Sequence, residues 1–347
     1  MLRYIWYYIM MENKTGELLT KNIAGVNRIL PHKHKFAWDL FLSSCANNWM
    51  PTEISMQNDI KQWKNDEITE DEKLLVKRCL GFFAGSESLV GNNLLLSAFR
   101  YVTDAECRQY ILRQAFEESL HNLTVVYICD SLDLDIDEVF AAYENIPSIK
   151  AKDDFLMEIT NDISRQDFNA HSKEGKQEIL RNFLTYWIVC EGTFFFSGFA
   201  MLLALGRQNK MQGVADQIKY TLRDESSHIK FGTYLINTLI EQNPKIWTKA
   251  IQEEFTEHIK KAVELEIAYA HDVLPRGILG LNADMFVDYM HYIGNRRLEG
   301  IGLEYRFPSD KNPFPWLGEV VDVQAMGNFF ERRVREYQQA GSLEDDF

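Results

Sequence analysis

Two short repeats carry the chemistry that this sequence can do. Glu118-Ser-Leu-His121 and Glu225-Ser-Ser-His228 each set a carboxylate and an imidazole three residues apart. On a helix that spacing projects both groups from one face, a turn from each other. A further glutamate precedes each pair: Glu87 lies 31 residues before the first and Glu191 lies 34 before the second. The chain therefore holds the pattern Glu, then E-x-x-H, twice. Four carboxylates and two imidazoles are hard oxygen and borderline nitrogen donors, a set suited to iron and manganese. Four buried negative charges would be prohibitive alone, and two divalent cations would neutralise them. A single E-x-x-H is usually a solvated helix face. Two copies with matched upstream glutamates, both set in apolar surroundings without Lys or Arg partners, predict a dinuclear site.

Such a site needs long helices to hold it, and the sequence supplies them. Apolar residues recur at three- and four-residue spacing between the prolines at 51, 147 and 244, with no sustained strand-like alternation. Helices are expected near residues 69–98, 103–131, 174–206, 211–240, 246–272 and 280–292, with boundaries at Thr103-Asp104 and Asn243-Pro244. One Glu from each of two helices and a Glu-x-x-His from each of two others is the ligand set of ferritin-like carboxylate bundles. The expected fold is thus all-α, a ferritin-like bundle. Phe183–Gly206 is nearly long enough to cross a bilayer, but its one charge is the central Glu191. A lone carboxylate there would be costly in lipid, so we read a bundle helix buried on all sides. Phe195 and Phe199 follow Glu191 by one and two turns and would wall the metals with inert groups.

The 347 residues are 46% hydrophobic, enough for one large core, and exclude a disordered chain. A formal charge of −14 disfavours a phosphate backbone as partner, so nucleic acid is not expected. Cys45, Cys79, Cys107, Cys129 and Cys190 form no C-x-x-C pair, which points to a reducing cytoplasm and away from a disulfide framework. The apolar start, MLRYIWYYIMM, is too short to span a bilayer, and Met11 offers an alternative start of translation. No membrane association is expected. The expected division is an N-terminal segment over residues 1–30, the helical domain over 31–306, and a flexible tail over 307–347, where FPSDKNPFPW breaks the helical pattern.

With these residues in place the chain resembles the small, radical-generating subunit of class I ribonucleotide reductase. CANNWMPTEI, GFFAGSESLVGNN, RQAFEESLHNLTVVYICDSL, YWIVCEGTFFFSGF, YTLRDESSHIKFG, LPRGILGL and NPFPW carry the likeness. The resemblance implies that Glu87, Glu118 and His121 ligate one metal, and Glu191, Glu225 and His228 the other. It implies that dioxygen oxidises the metals. The stored oxidising equivalent would start reduction of ribonucleotides at a cysteine of a separate large subunit. Trp49, Asp224 and His121 would form the internal relay, and Tyr337 would hand the equivalent across the subunit interface. Tyr220, one turn before Asp224, is a candidate auxiliary redox residue. A homodimer, and docking on the large subunit through the C-terminal tail, are likewise implied.

One position departs from the common pattern. The radical-bearing tyrosine of the family follows the first histidine by four residues, where this chain has Val125. Tyr127 lies about 240° round the helix from His121 and should face elsewhere. The sequence is therefore most similar to the tyrosine-independent class Ic branch, typified by chlamydial subunits, in which a mixed manganese–iron cluster holds the oxidising equivalent. Di-iron and di-manganese clusters remain the alternatives. So does a ferritin-like oxidase or ferroxidase uncoupled from a reductase, although that would need neither Trp49 nor a tail tyrosine.

Overall fold

The computed structural model describes residues 16–19, 26–160, 163–309 and 311–318. Its principal helices are α1 (Lys35–Ala46), α2 (Gln57–Lys64), α3 (Glu70–Asn93), α4 (Ala105–Leu132), α5 (Pro147–Ile159), α6 (Lys173–Phe183), α7 (Phe196–Arg207), α8 (Gln212–Gln242), α9 (Lys249–Val273) and α10 (Met285–Gly300). Among the described residues there is no β-strand, only an isolated bridge between Ile278 and Leu281. The all-α expectation holds.

Local chemistry sets the ends of the helices that matter. At α3, the Thr69 hydroxyl accepts from Glu72 N at 3.2 Å while the Glu72 carboxylate accepts from Thr69 N at 2.9 Å. This reciprocal cap satisfies two otherwise orphaned donors. Asp104 starts α4 by accepting from the backbone N–H groups of Glu106 and Cys107. Ser172 and Thr248 cap α6 and α9 in the same way. The expected helix at 280–292 starts later and runs further, as α10. Gly277 and Gly280 take positive φ and turn the chain back on itself, so helix begins only after Asn282, whose side chain accepts from Met285 N. α1, α2 and α5 were not expected; they are short, and each fills a side of the bundle.

α6 and α7 belong to one continuous helix, Lys173–Arg207, and 94% of its most apolar window is buried. It is a core helix, as read from its sequence. Its middle, Leu184–Phe194, is wound as a π-helix. Thr193 Oγ donates to the carbonyl of Ile188, five residues back, at 2.8 Å. Wide turns of this kind concentrate at functional sites. Gly192 is required there: a Cβ would come within 2.8 Å of Trp187 O and 3.0 Å of Arg297 Nε. Arg297 of α10 donates to Gly192 O, and Lys152 of α5 donates to Phe194 O at 3.2 Å, so side chains from two other helices satisfy carbonyls of the wide turn.

α3 packs on α4, and α8 packs on α4, α7 and the π-helix, which makes a four-helix core. The chain beyond residue 306 does not leave this body at once. Asn295 ties down the backbone of Arg306, Phe307 and Ser309, and Phe314 is buried against Phe286 and Tyr289. At the other end Leu18 and Leu19 are buried, with Leu18 O accepting from Thr103 N. The initial apolar stretch and the tail that holds Tyr337 lie outside the described residues.

Candidate metal centre

Each of the four core helices brings one part of the expected ligand set to the axis of the bundle. Glu87 comes from α3, Glu118 and His121 from α4, Glu191 from the π-helix, and Glu225 and His228 from α8. None of the six is more than 1% exposed. Ligand atoms of Glu87, Glu118, His121 and Glu225 lie within 4.8 Å of one another, as do those of Glu118, Glu191 and His228. Glu118 belongs to both groups. Its two oxygens lie 3.6 Å from His121 Nδ1 and 3.2 Å from His228 Nδ1. Glu225 also spans the gap, at 3.1 Å from His121 Nδ1 and 3.4 Å from His228 Nδ1. Both glutamates thus lie within reach of both imidazoles, whereas Glu87 lies 3.4 Å from His121 Nδ1 and Glu191 lies 3.9 Å from His228 Nδ1.

At least one donor atom of every one of these six residues is left without a hydrogen bond. Among the described residues, buried oxygens of Glu87, Glu118, Glu191 and Glu225, and buried nitrogens of His121 and His228, have no hydrogen-bond partner. Such atoms are costly unless something fills the space between them. Without cations the site neutralises itself by holding protons. Burial pushes Glu87 and Glu191 well above the usual carboxylate range, and the charges of Glu225 and Glu118 push Glu191 in the same direction. Burial opposes charge on His121 and His228, but the surrounding carboxylates outweigh it and raise both. Glu118 is depressed despite burial, because both imidazoles face it. This donor set fits two divalent metals, which would replace those protons.

The groups behind the ligands are equally ordered. Asp224 Oδ2 lies 3.5 Å from His121 Nε2 and accepts from Trp49 Nε1 at 2.8 Å. Trp49 stacks on Tyr220 with ring centroids 5.2 Å apart, and Tyr220 is half-buried. All the internal relay positions named from the sequence are thus brought together. The other histidine is held by a residue the sequence reading missed: His228 Nε2 lies 2.9 Å from Glu117 Oε2, and Arg113 donates to that carboxylate at 3.0 Å. His228 therefore has a carboxylate hydrogen-bonded to its outer nitrogen, the arrangement that fixes a ligand's tautomer and orientation, and His121 has one 3.5 Å from its own. Val125 is buried one turn after His121 on α4, whereas the Tyr127 hydroxyl donates to Ile54 O at 3.0 Å. Phe195 and Phe199 pack on Phe83, one turn from Glu87.

A second group of potential ligands, His34, Asp104 and Cys107, is already satisfied. The His34 nitrogens are bonded to Tyr234 Oη and Gly16 O, and Asp104 is spent capping α4. Among the described residues, only the central cluster combines convergence with unpartnered donors.

The model of the family described as ribonucleotide reductase, small chain, matches residues 26–313. The chain belongs to that family. A ribonucleoside-diphosphate reductase subunit beta from Chlamydia pneumoniae is 52% identical over 94% of both chains. A small chain of the same enzyme from Plasmodium falciparum is 29% identical over 91% of this chain and 84% of its own. Among solved structures, a ribonucleotide reductase R2 subunit from Clostridium botulinum superposes with a TM-score of 0.79 at 28% identity. It covers 90% of this chain and 96% of its own. A dimanganese(II) protein from Streptococcus sanguinis shares the fold, with a TM-score of 0.70 at 22% identity over 86% and 99% of the two chains. The chain is accordingly a small subunit of ribonucleoside-diphosphate reductase, an oxidoreductase with a ferritin-like fold and a dinuclear metal site.

Proposed function

We propose that this small subunit generates the oxidising equivalent for ribonucleotide reduction at the cluster held by Glu87, Glu118, His121, Glu191, Glu225 and His228. Bound metals would supply the redox chemistry, activating dioxygen and storing one oxidising equivalent. Val125 in place of a phenol, with Tyr127 hydrogen-bonded elsewhere, favours a manganese–iron pair that keeps the equivalent on the metals. The protein's own part is the exit path. When Trp49 gives up an electron, its indole proton has an acceptor at Asp224 Oδ2, and that carboxylate also touches a metal-ligating imidazole. Tyr220, stacked on Trp49, is an auxiliary redox group, and Tyr337 is the tail residue that completes the path to the large subunit.

The single observation that carries this reading is the buried line from Trp49 through Asp224 to His121, which a storage bundle has no use for. A homodimer is supported by the outer face of α4. Leu112, Phe116, Leu123 and Val126 lie exposed there in one stripe at helical spacing, an apolar face that water penalises. Free cysteines, four of five buried, agree with a reducing cytoplasm.

The deciding experiment loads the metal-free protein with manganese and iron together or with iron alone, then measures metal content, EPR and reductase turnover with the large subunit. Activity should track the mixed pair with no tyrosyl signal; full activity with iron alone overturns the manganese–iron assignment. Trp49→Phe and Tyr337→Phe should each keep both metals yet lose turnover by about a thousandfold or more, the scale of removing an essential group. Normal turnover in either variant removes that residue from the path.

A further inference from the structure

The two metal positions are not equivalent, because one of them has an amide behind it. Gln114 lies one turn before Glu118 on α4 and is fully buried. Its Nε2 donates both to Glu191 Oε1 at 2.9 Å and to Glu118 Oε1 at 3.2 Å, which uses both amide hydrogens. A carboxylate oxygen that accepts an N–H is a poorer metal donor. Glu191 is left with Oε2, which has no hydrogen-bond partner and lies 3.9 Å from His228 Nδ1. Glu87, on the other side, has no amide partner among the described residues, and its unpartnered Oε2 lies 3.4 Å from His121 Nδ1.

The direction of the amide is fixed by a second residue. An amide can present either its oxygen or its nitrogen, and here the network decides. Trp187 Nε1, a donor only, bonds Gln114 Oε1 at 3.1 Å and turns the NH2 group toward the carboxylates. Trp187 is itself immobilised: its ring lies edge-on to Phe183 and Phe231. It also sits against Gly232 of α8, where a Cβ would come 2.1 Å from Trp187 Cγ. Both Glu191 and Trp187 lie in the π-helix, so one wide turn delivers a ligand and the group that orients its clamp.

We propose that Gln114, oriented by Trp187, is a positioning residue. It holds Glu191 to one metal-binding oxygen and thereby tunes the metal position of Glu191 and His228 separately from that of Glu87 and His121. The inference rests on the six-ligand reading above and concerns the two metal equivalents individually.

The test titrates metal-free protein with Mn(II) and follows free Mn(II) by EPR. Wild type should take up two equivalents. Gln114→Leu, similar in volume but without a donor, should bind one equivalent as wild type does and the other about 10- to 100-fold more weakly, the usual cost of losing an outer-shell partner. Trp187→Phe should weaken the same equivalent by less, since the amide survives but can turn over. Wild-type affinity for both equivalents in Gln114→Leu overturns the proposal, as does equal weakening of both, which would make Gln114 a packing residue. If Gln114→Leu fails to fold, Trp187→Phe decides, and unchanged binding there overturns the proposal. Wild type that takes fewer than two equivalents instead overturns the six-ligand reading and this inference with it.

Discussion

Two clusters of buried charge meet the same helix at neighbouring turns, and they are built on opposite principles. Around Glu191, four carboxylates and two imidazoles converge, each with at least one donor atom unpartnered. Around Phe194 and Ser197, a fully buried Lys152 pairs with a fully buried Glu266. There the ammonium also lies 3.2 Å from the Phe82 ring centroid and 4.1 Å from that of Tyr269, while Ser197 donates to Glu266. The second cluster closes on itself: one cation, one anion, a hydroxyl and aromatic faces. The first is open and needs charge from outside. Burial alone therefore does not mark a functional site; an unmatched set of converging donors does.

The sharpest way to break this contrast is to open the closed cluster. Lys152→Met should leave Glu266 without its cation and destabilise the protein by about 3–5 kcal/mol, and adding Glu266→Leu should recover most of that. Thermal unfolding of both variants checks it. A double variant no more stable than the single would mean the pair is not self-contained.

Asp153, next to Lys152, is an intermediate case: a buried carboxylate with an unpartnered oxygen, in no group of converging metal ligands among the described residues. Burial pushes its pKa up to about 6. A carboxyl group raised in the folded state costs nothing below its unfolded pKa near 4, and the full cost is reached above pH 6. Asp153→Asn should accordingly stabilise the protein by up to roughly 3 kcal/mol at pH 7.5, with the gain vanishing below about pH 4. Denaturant midpoints at the two pH values test this. A constant difference across the range would assign the effect to packing.

The smallest change belongs to the open cluster. In metal-free protein Glu191→Gln should raise stability by about 1 kcal/mol, because folding no longer has to hold that buried carboxyl protonated above its unfolded pKa, while the loaded protein loses one metal equivalent. Because Glu87, Glu191, His121 and His228 hold protons to higher pH than usual, metal uptake should release protons and tighten as pH rises from 6 to 8. Indicator dye in weak buffer reads that release directly. Uptake without proton release would contradict the self-neutralised metal-free state.

The open cluster was legible in the sequence and the closed one was not. The E-x-x-H spacing is a helical period, so one helix face and its upstream partners can be read from a string of residues. Asp104 announced its boundary by capping chemistry, and Asn243-Pro244 did so by a proline that cannot continue the helix ending at Gln242. Lys152 and Glu266 are 114 residues apart in a pattern of ordinary charges, and only tertiary packing joins them. Gln114 and Trp187 escaped for the same reason, since an amide and an indole carry no motif. Glu117, flanked by Phe116 and Glu118, belongs to no motif, and only the fold sets it against His228. The division of Glu118 and Glu225 between two metals is what the family resemblance implies, since spacing along a helix cannot say how far two carboxylates reach across the bundle axis.

The wide turn at Leu184–Phe194 has a further meaning for how such a chain can change over time. Relative to an ordinary helix it behaves as extra length folded into the same element. Everything from Phe195 to Arg207 is therefore rotated in phase against what the preceding turns alone would set. Deleting one residue inside it would leave the helix nearly as long and still apolar, but would return its second half to a different rotational register. Phe195, Phe199 and Ser197 would then swing off Phe83 and Glu266 together. Single-residue deletions in this segment should thus be far more damaging than substitutions of similar volume. An alignment that closes such a gap by sliding whole helices would misassign every contact beyond it.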